Sequence, residues 1–200
     1  MSFVVIEGGE GVGKGTLMEG LKRHFKDAVF TREPGGTPMA EEIRDCNLRP
    51  RQEPVAPDTE LLLMFAARAQ HLAQLILPAL DQGQLVISDR FTDSSYAYQG
   101  VARGLGAEKV ELLEQFVQGD LRPDMVVVLD LDPLEGQSRI RDRAEGLDRL
   151  DAETLQFHQA VRQAFLSRAE RSPERYCVVD AAQAPERVLE QVIRVIEGLS

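Results

Sequence analysis

The chain has 200 residues, 43% of them hydrophobic and 28% charged, which suits one domain with a substantial core. Its formal net charge of −10 argues against a general nucleic-acid-binding protein, which needs a basic face. No apolar run approaches the roughly 18 residues of a membrane span. Two isolated cysteines, Cys46 and Cys177, without a signal-type leader, indicate a reducing compartment. We therefore expect a cytoplasmic protein that binds neither nucleic acid nor membrane.

Short apolar segments alternate with segments of helical periodicity along the chain. Strands are predicted at 3–7, 28–31, 85–88, 125–131 and 176–180. Helices are predicted at 14–26, 38–47, 58–82, 107–119, 133–145, 151–171 and 184–198. This alternation predicts one domain over 1–200, of the α/β class, with a parallel sheet of about five strands flanked by helices in three layers. Ligands of such sheets bind at the carboxyl ends of the strands, so the residues found there are the candidates for function.

A glycine-rich segment joins the first strand to the first helix. It reads Gly8-Gly9-Glu10-Gly11-Val12-Gly13-Lys14-Gly15-Thr16. In this context it indicates a P-loop of the NTPase fold, in which backbone N–H groups cradle phosphates and Lys14 adds a positive charge. The usual Ser or Thr after the lysine, a Mg²⁺ ligand, is replaced by Gly15, and Thr16 follows. Mg²⁺ would then be held by water, by the phosphates or by another carboxylate.

Charged residues also follow the second and third strands. The second strand leads into the Arg-Glu-Pro-Gly-Gly-Thr turn of residues 32–37, which is more specific than a generic loop. The third leads into Asp89 and Arg90. Asp89 stands where a Mg²⁺-associated carboxylate belongs, and Arg90 is suited to bidentate binding of a phosphate. The alternative is a mutual salt bridge at the end of a strand.

An arginine-rich segment occupies the fifth predicted helix and the residues after it. Arg139 and Arg143 lie one helical turn apart on one face, and Arg149 follows. A solvated helix face is the ordinary interpretation of such a run. In a protein of net charge −10, this local positive excess favours a lid, at about 136–150, that closes over phosphates. The three scattered histidines are interpreted as core or surface residues.

Together, these motifs resemble the thymidylate kinase family over essentially the whole chain. The matching segments are the P-loop, residues 31–37, Asp89-Arg90-Phe91 with Ser94-Ser95, Ala97-Tyr98-Gln99-Gly100 and Leu147-Asp148-Arg149. The resemblance implies transfer of a phosphoryl group from ATP to dTMP with Mg²⁺, for dTTP synthesis. It also implies a homodimer.

The resemblance further implies roles for individual residues. ATP would be bound by the P-loop residues 8–16 and by Arg139, with the 180–183 loop near adenine. The deoxyribose and phosphate of dTMP would be bound by Glu10, Arg32, Arg44 and Arg90. The thymine edge and the wall against a ribose 2′-hydroxyl would be formed by Arg68, Ser95, Tyr98 and Gln99. Asp89 would hold the metal ion, with Thr16 or water, and the catalytic residues would be Lys14, Asp89, Arg90, Arg143 and Arg149.

One position departs from the family pattern. The aromatic residue that stacks on thymine usually precedes the base-reading arginine by four residues, where this chain has Met64. Phe65 lies three residues before Arg68, and both spacings face the same side of a helix. We expect Phe65 to stack on the base because a planar ring suits it better. The alternative is that both residues pack in the core.

Two other functions are compatible with a P-loop. A GTPase-type switch would read guanine through an Asn-Lys-x-Asp motif, yet the single asparagine, Asn47, is followed by Leu48. A kinase for another nucleoside monophosphate, or for a deoxynucleoside, would share the same phosphate-binding residues. That second alternative is the nearest rival.

Overall fold

A computed structural model describes residues 2–141, 149–150 and 152–199. Five strands form one parallel sheet in the order β2-β3-β1-β4-β5, which confirms the predicted α/β architecture. The strands are β1 (Phe3–Gly8), β2 (Val29–Arg32), β3 (Val86–Asp89), β4 (Met125–Asp130) and β5 (Tyr176–Asp180). Because β1 lies at the centre of the sheet, the P-loop that follows it lies at the middle of the sheet's carboxyl edge.

Helices cover both faces of the sheet. Within the described ranges they are α1 (Lys14–His24), α2 (Pro38–Leu48), α3 (Pro57–His71), α4 (Leu77–Asp81), α5 (Thr92–Ser95), α6 (Ala107–Gln118), α7 (Pro133–Arg141), α8 (Leu155–Arg171) and α9 (Pro185–Glu197). Helix α8 begins four residues later than predicted because the Thr154 hydroxyl caps it, accepting a hydrogen bond from the Phe157 N–H at 3.2 Å.

The core lies on the two faces of the sheet, and β1 contributes to both. Phe3 and Val5 belong to a cluster formed with α3 and α8, whereas Val4 and Ile6 belong to one formed with α1 and α9. This alternation is the period of two expected of a strand that is buried on both faces. The structure therefore has the three layers that the sequence predicts.

The predicted helix at 58–82 is interrupted rather than continuous. A π-helical stretch, Leu72–Ile76, separates α3 from α4, and Pro78, which has no N–H to donate, lies just beyond it. The whole stretch, Pro57–Asp81, is long and apolar enough to span a membrane by length and composition alone, contrary to the expectation from the sequence. It nevertheless buries Glu60 and Arg68 inside the protein, so we interpret it as a core helix.

Residues 92–102 are helical, although the sequence predicted no helix there. Helix α5 continues directly into a second π-helical stretch, Tyr96–Ala102. Its Ser, Thr and Tyr residues and Gly100 are weak helix formers, so local propensity does not favour a helix. This segment carries the predicted site residues Ser95, Tyr98 and Gln99, and π-helical turns are frequent at functional sites.

Candidate active site

The P-loop runs from the end of β1 to the start of α1. Gly11 and Gly13 adopt positive φ angles of 72° and 91°, which residues with a side chain resist. The buried Lys14 ammonium donates hydrogen bonds to the carbonyl oxygens of Gly8 at 3.2 Å and Gly9 at 3.1 Å. Burial lowers the pKa of Lys14, and the charge of Arg90 lowers it further. The loop thus holds one buried cation at the carboxyl edge of the sheet.

A polar cavity of about 260 Å³ opens at this edge. Its lining comprises Glu10, Gly11, Val12, Gly13, Lys14, Gly15, Arg32, Glu33, Arg44, Asp89 and Arg90. Thr16 is exposed on the first turn of α1 and is not part of this lining. The cavity therefore combines the phosphate-binding loop with four cationic side chains and two of the carboxylates expected from the sequence, Glu10 and Asp89.

Arg90 connects the P-loop to the helix that follows β3. Its guanidinium donates to the Gly8 carbonyl oxygen at 2.9 Å, the Ser94 hydroxyl at 3.2 Å and the Glu10 carboxylate at 2.5 Å. Among the described residues, Arg90 is the only non-glycine residue with a positive φ, 69°. Strained backbone of this kind persists where the surrounding structure enforces it, commonly at functional sites. Arg90 therefore pairs with Glu10, and the alternative of a structural salt bridge to Asp89 is not observed.

Glu10 remains a carboxylate despite its burial. Burial alone would raise its pKa, but the charges of Arg90 and Lys14 and a hydrogen bond from the Tyr98 hydroxyl at 2.7 Å lower the pKa to about 2. An ionised carboxylate only accepts hydrogen bonds, so Glu10 is suited to bind a hydroxyl group.

Asp89 ends β3 and lines the same cavity. Within the described part of the chain, its Oδ1 atom is buried and has no hydrogen-bond partner. An unsatisfied buried oxygen of this kind fits a ligand of Mg²⁺, which prefers oxygen donors. The described residues contain no group of three His, Cys, Asp or Glu side chains that could hold a metal ion. Asp89 therefore suits a Mg²⁺ ion whose other ligands are phosphate oxygens and water.

A second cavity, of about 100 Å³, adjoins the first and shares with it Glu10, Glu33, Arg44 and Arg90. Arg68 forms part of its wall. Its Nε atom donates to Glu33 at 2.7 Å, and its Nη2 atom donates to the Phe91 carbonyl oxygen and to the Ser95 hydroxyl, both at 3.1 Å. The remaining nitrogen, Nη1, is buried without a partner in the described structure. This wall therefore offers an unused hydrogen-bond donor to a ligand.

The same cavity is lined by Met64 and not by Phe65. Phe65 is buried in a cluster with Leu61 and Val110, and its ring lies 4.5 Å from the Arg68 guanidinium carbon. Met64 lies one full turn before Arg68 and so shares its face of α3 more closely than Phe65 does. The structure thus places Phe65 behind the arginine rather than beside a ligand, contrary to the expectation from the sequence.

Arg32 and Arg44, two arginines predicted to bind dTMP, both line the P-loop cavity. Arg44 donates to the Pro34 carbonyl oxygen at 3.0 Å and lines both cavities. Arg32 is exposed and forms an ion pair with Glu41 at 2.8 Å at the edge of the P-loop cavity. Both therefore line the same cavity as the P-loop residues.

The two predicted lid arginines that the structure describes, Arg139 and Arg149, have partners other than the P-loop. Arg139 pairs with Glu135 at 2.6 Å and donates to the Ala181 carbonyl oxygen, in the loop after β5, at 3.2 Å. Arg149 donates to the buried Glu60 carboxylate at 2.5 Å. Arg143 lies outside the described residues. In this structure Arg149 therefore has a partner other than the phosphate-binding loop, which the sequence did not anticipate.

Helix α7, which overlaps the start of the predicted lid, lies directly against the P-loop. A Cβ atom on Gly11 would come within 2.2 Å of the Gly136 carbonyl oxygen. A Cβ atom on Gly136 would come within 2.5 Å of the Glu10 carbonyl oxygen. The two backbones are thus so close together that neither glycine position has room for a side chain.

Comparison with known proteins agrees with this geometry. The family model described as thymidylate kinase matches residues 6–192. The chain is 52% identical to the thymidylate kinase of Pseudomonas putida strain GB-1 and 53% identical to that of Pseudomonas fluorescens strain SBW25. Each alignment covers 98% of this chain and 95% of the relative. The chain belongs to the thymidylate kinase family.

Several site residues of this thymidylate kinase family member were not identified from the sequence. Glu33 lines both cavities and bridges Arg68 and the buried His71, and Glu60 binds both Arg149 and Gln99, the latter at 2.7 Å. A signal was present: polar positions 60, 68 and 71 fall on one face of an otherwise apolar helix, with Met64 between them. A polar group on a buried face indicates a partner elsewhere in the fold.

Glu7, also missed, joins β1 to α5. Its carboxylate accepts hydrogen bonds from the N–H groups of Phe91 at 2.9 Å and Ser94 at 3.1 Å, and from the Ser94 hydroxyl at 2.7 Å. Burial raises the pKa of Glu7 to about 7, against the opposing effect of Arg90. Between pH 4.5 and 7 the folded protein therefore binds more protons at this site than the unfolded chain does.

We expect this group to make the folded state less stable as the pH rises through that window, because the buried carboxyl must ionise. Replacing Glu7 with Gln should remove this contribution to the pH dependence of the free energy of unfolding. The contribution amounts to at most about 3 kcal/mol between pH 5 and pH 8. Urea unfolding of both proteins at the two pH values measures the difference, since all other titrating groups are common to both. Parallel pH profiles would contradict the assignment.

Proposed function

We propose that this protein transfers the γ-phosphoryl group of ATP to the phosphate of dTMP, with Mg²⁺, giving ADP and dTDP for dTTP synthesis. The observation that supports this most strongly is the pair of adjoining cavities, one built on the P-loop and the other walled by donors. Their shared residues, which are Glu10, Glu33, Arg44 and Arg90, would lie between the two nucleotides. Two bound nucleotides that meet end to end are what a nucleotide kinase requires.

The reaction needs alignment and neutralisation of charge more than a nucleophilic side chain, because the acceptor is itself a phosphate oxygen. Lys14 and the P-loop N–H groups would hold the ATP phosphates, and Arg90 and Arg44 the acceptor phosphate, with Arg32 nearby. Mg²⁺, held through Asp89, would neutralise charge on the ATP phosphates. Glu10, kept ionised by Arg90, would accept a hydrogen bond from the 3′-hydroxyl of the deoxyribose.

The second cavity would bind the nucleobase. Arg68 is a pure donor, so its free Nη1 favours a carbonyl oxygen on the base edge over an amino group. Met64 and Phe91 supply apolar surface in the same wall, and Ser95 adds a hydroxyl. Tyr98, tied to Glu10, and Gln99, tied to Glu60, would form the wall that excludes a ribose 2′-hydroxyl.

A panel of nucleoside monophosphates with ATP and Mg²⁺ tests this proposal. We expect kcat/KM for dTMP to exceed that for dUMP by about 10-fold, the usual worth of one methyl group. UMP should be poorer than dUMP by a larger factor, because its 2′-hydroxyl would be buried without a partner. Phosphorylation of AMP or of a deoxynucleoside in preference to dTMP would support the nearest rival function instead.

We further propose a homodimer that forms through α6. Phe116 is 84% exposed and Leu112 is 70% exposed, four residues apart on one helix face, and Leu62 of the neighbouring α3 is 56% exposed. Large apolar side chains grouped in this way commonly mark an interface between proteins. Light scattering should therefore give twice the chain mass of 22.2 kDa. A mass equal to that of one chain would exclude this dimer.

The chain would act as one nucleoside monophosphate kinase domain, with the lid at about 136–150 closing over ATP and Arg139 on the ATP side. The free thiols Cys46 and Cys177 fit a reducing cytoplasm. Fluorescence microscopy of a tagged chain in a bacterial host would test that location, and a signal confined to the cell envelope would oppose it.

A further inference from the structure

A row of buried hydrogen bonds leads from Thr31 through His71 and Glu33 to Arg68. The Thr31 hydroxyl is 2.6 Å from His71 Nε2, His71 Nδ1 is 3.0 Å from Glu33 Oε1, and Glu33 Oε2 accepts from Arg68 Nε at 2.7 Å. All four residues are buried, and His71 is completely inaccessible to solvent. Residues 40 positions apart in the sequence are thus linked in one row that ends at the wall of the second cavity.

The partners determine where the protons are. Glu33, paired with the Arg68 guanidinium, is an ionised acceptor, so His71 must donate from Nδ1. The other ring nitrogen, Nε2, then accepts from the Thr31 hydroxyl. A neutral imidazole in this tautomer satisfies every donor and acceptor in the row, and it leaves the charges of Glu33 and Arg68 balanced.

The surroundings hold this arrangement tightly. Gly36, at a φ of 87°, lies over the pair, and a Cβ atom there would come within 2.5 Å of His71 Nε2 and 2.6 Å of Thr31 Oγ1. On the other side, the Phe65 and Phe91 rings lie 4.5 Å and 5.1 Å from the Arg68 guanidinium carbon. The imidazole therefore has little room to turn, and neither has the carboxylate that it holds.

We propose that His71 is a positioning residue for recognition of the nucleobase, acting on Arg68 through Glu33. Glu33 bridges His71 and Arg68, so loss of the Nδ1 donor frees one carboxylate oxygen and lets the guanidinium change its angle. The effect should then fall on the base edge that Arg68 Nη1 would meet, and not on the P-loop or on Arg90. This inference rests on the proposed binding of dTMP in the second cavity.

Two amide substitutions separate the two ends of the imidazole. The side-chain nitrogen of His71→Asn lies near the position of Nδ1 and preserves a donor to Glu33, whereas His71→Gln places its amide near Nε2. His24→Gln, on the protein surface where His24 pairs with Glu197, is the matched control. Steady-state kinetics with dTMP, dCMP and ATP, together with thermal unfolding, give the readouts.

For His71→Gln we expect the KM for dTMP to rise by about 10-fold and the preference for dTMP over dCMP to fall about 5-fold, as expected when a buried charge-assisted bond is lost. The KM for ATP should stay within about 2-fold, because the P-loop lies outside this row of bonds. His71→Asn should restore the dTMP values to within about 3-fold of wild type. The control should match wild type in every readout.

The inference is overturned if a folded His71→Gln enzyme keeps the wild-type KM and base preference. It is also overturned if both amide variants raise the KM for dTMP and the KM for ATP by the same factor, because that result indicates a general structural defect. If His71→Gln does not fold, Thr31→Val replaces it in the test. The KM for dTMP should then rise by about 3-fold, and an unchanged KM would overturn the inference. A wild-type enzyme inactive on dTMP would instead overturn the proposed function.

Discussion

Replacing Arg90 with Ala is expected to lower kcat/KM for dTMP by about 10²- to 10³-fold, because charge-assisted hydrogen bonds are worth about 1.5–3 kcal/mol each. Arg90 lies between the two cavities and would bind the acceptor phosphate. It also compensates the half-buried Glu10 carboxylate, and its charge lowers the pKa of Glu10, which is about 2. The fold should survive, since the backbone N–H of residue 90 bonds to Ile6 independently of the side chain.

Two further variants make this result specific. Arg90→Lys keeps the charge but not the planar fork, so it should recover only part of the activity. Arg194→Ala removes an arginine from the exposed pair with Glu190 on α9 and should behave as wild type. Near-normal activity of folded Arg90→Ala would mean that the residue serves structure alone.

Replacing Arg143 with Ala is expected to lower kcat by about 100-fold or more, by analogy with arginine fingers supplied in cis, while the KM for dTMP changes little. The P-loop contains no arginine, so we expect the proposed lid to supply the cation that meets the charge developing during transfer. Arg143 lies outside the described residues, and this prediction rests on its place in the sequence.

Arg149→Ala is the informative comparison. Arg149 binds Glu60, which is also 3.4 Å from Arg103 and accepts a hydrogen bond from Gln99. Its loss should therefore raise the KM for dTMP and lower the thermal midpoint, because a buried carboxylate loses one cation. A 100-fold loss in kcat for Arg149→Ala, with the KM for dTMP unchanged, would instead support the catalytic role of Arg149 that the sequence indicated. If these arginines instead belong to a solvated helix face, kcat should be almost unchanged in both variants, because exposed charges are worth under about 1 kcal/mol.

The sheet and the P-loop were predictable because each is encoded over a few adjacent residues. All five strands lie within one residue of their predicted bounds, since strands buried on both faces are continuous apolar runs. The P-loop is recognised from its own spacing of glycines and Lys14. Helix α5 and its π-helical extension were missed because packing, and not propensity, makes residues 92–102 helical.

Partners distant in the sequence were not predictable. Arg149 and Glu60 are 89 positions apart, and nothing in either local sequence indicates that they meet. The same applies to Phe65 and Met64: their spacings to Arg68 differ by one residue, and the choice between them depends on how α3 is rotated about its axis. That rotation follows from tertiary packing of the whole helix.

The contact between α7 and the P-loop limits how this enzyme can be made more heat-resistant. Replacing a helical glycine with alanine ordinarily stabilises a protein by about 1 kcal/mol. At Gly20 in α1, the new methyl group would meet the flexible Leu189 side chain, which is able to move. At Gly136 it would meet the rigid backbone of Glu10, so the same change would push the phosphate-binding loop out of place. A design that replaces helical glycines with alanine would therefore gain stability at Gly20 in α1 and lose both stability and activity at Gly136 in α7.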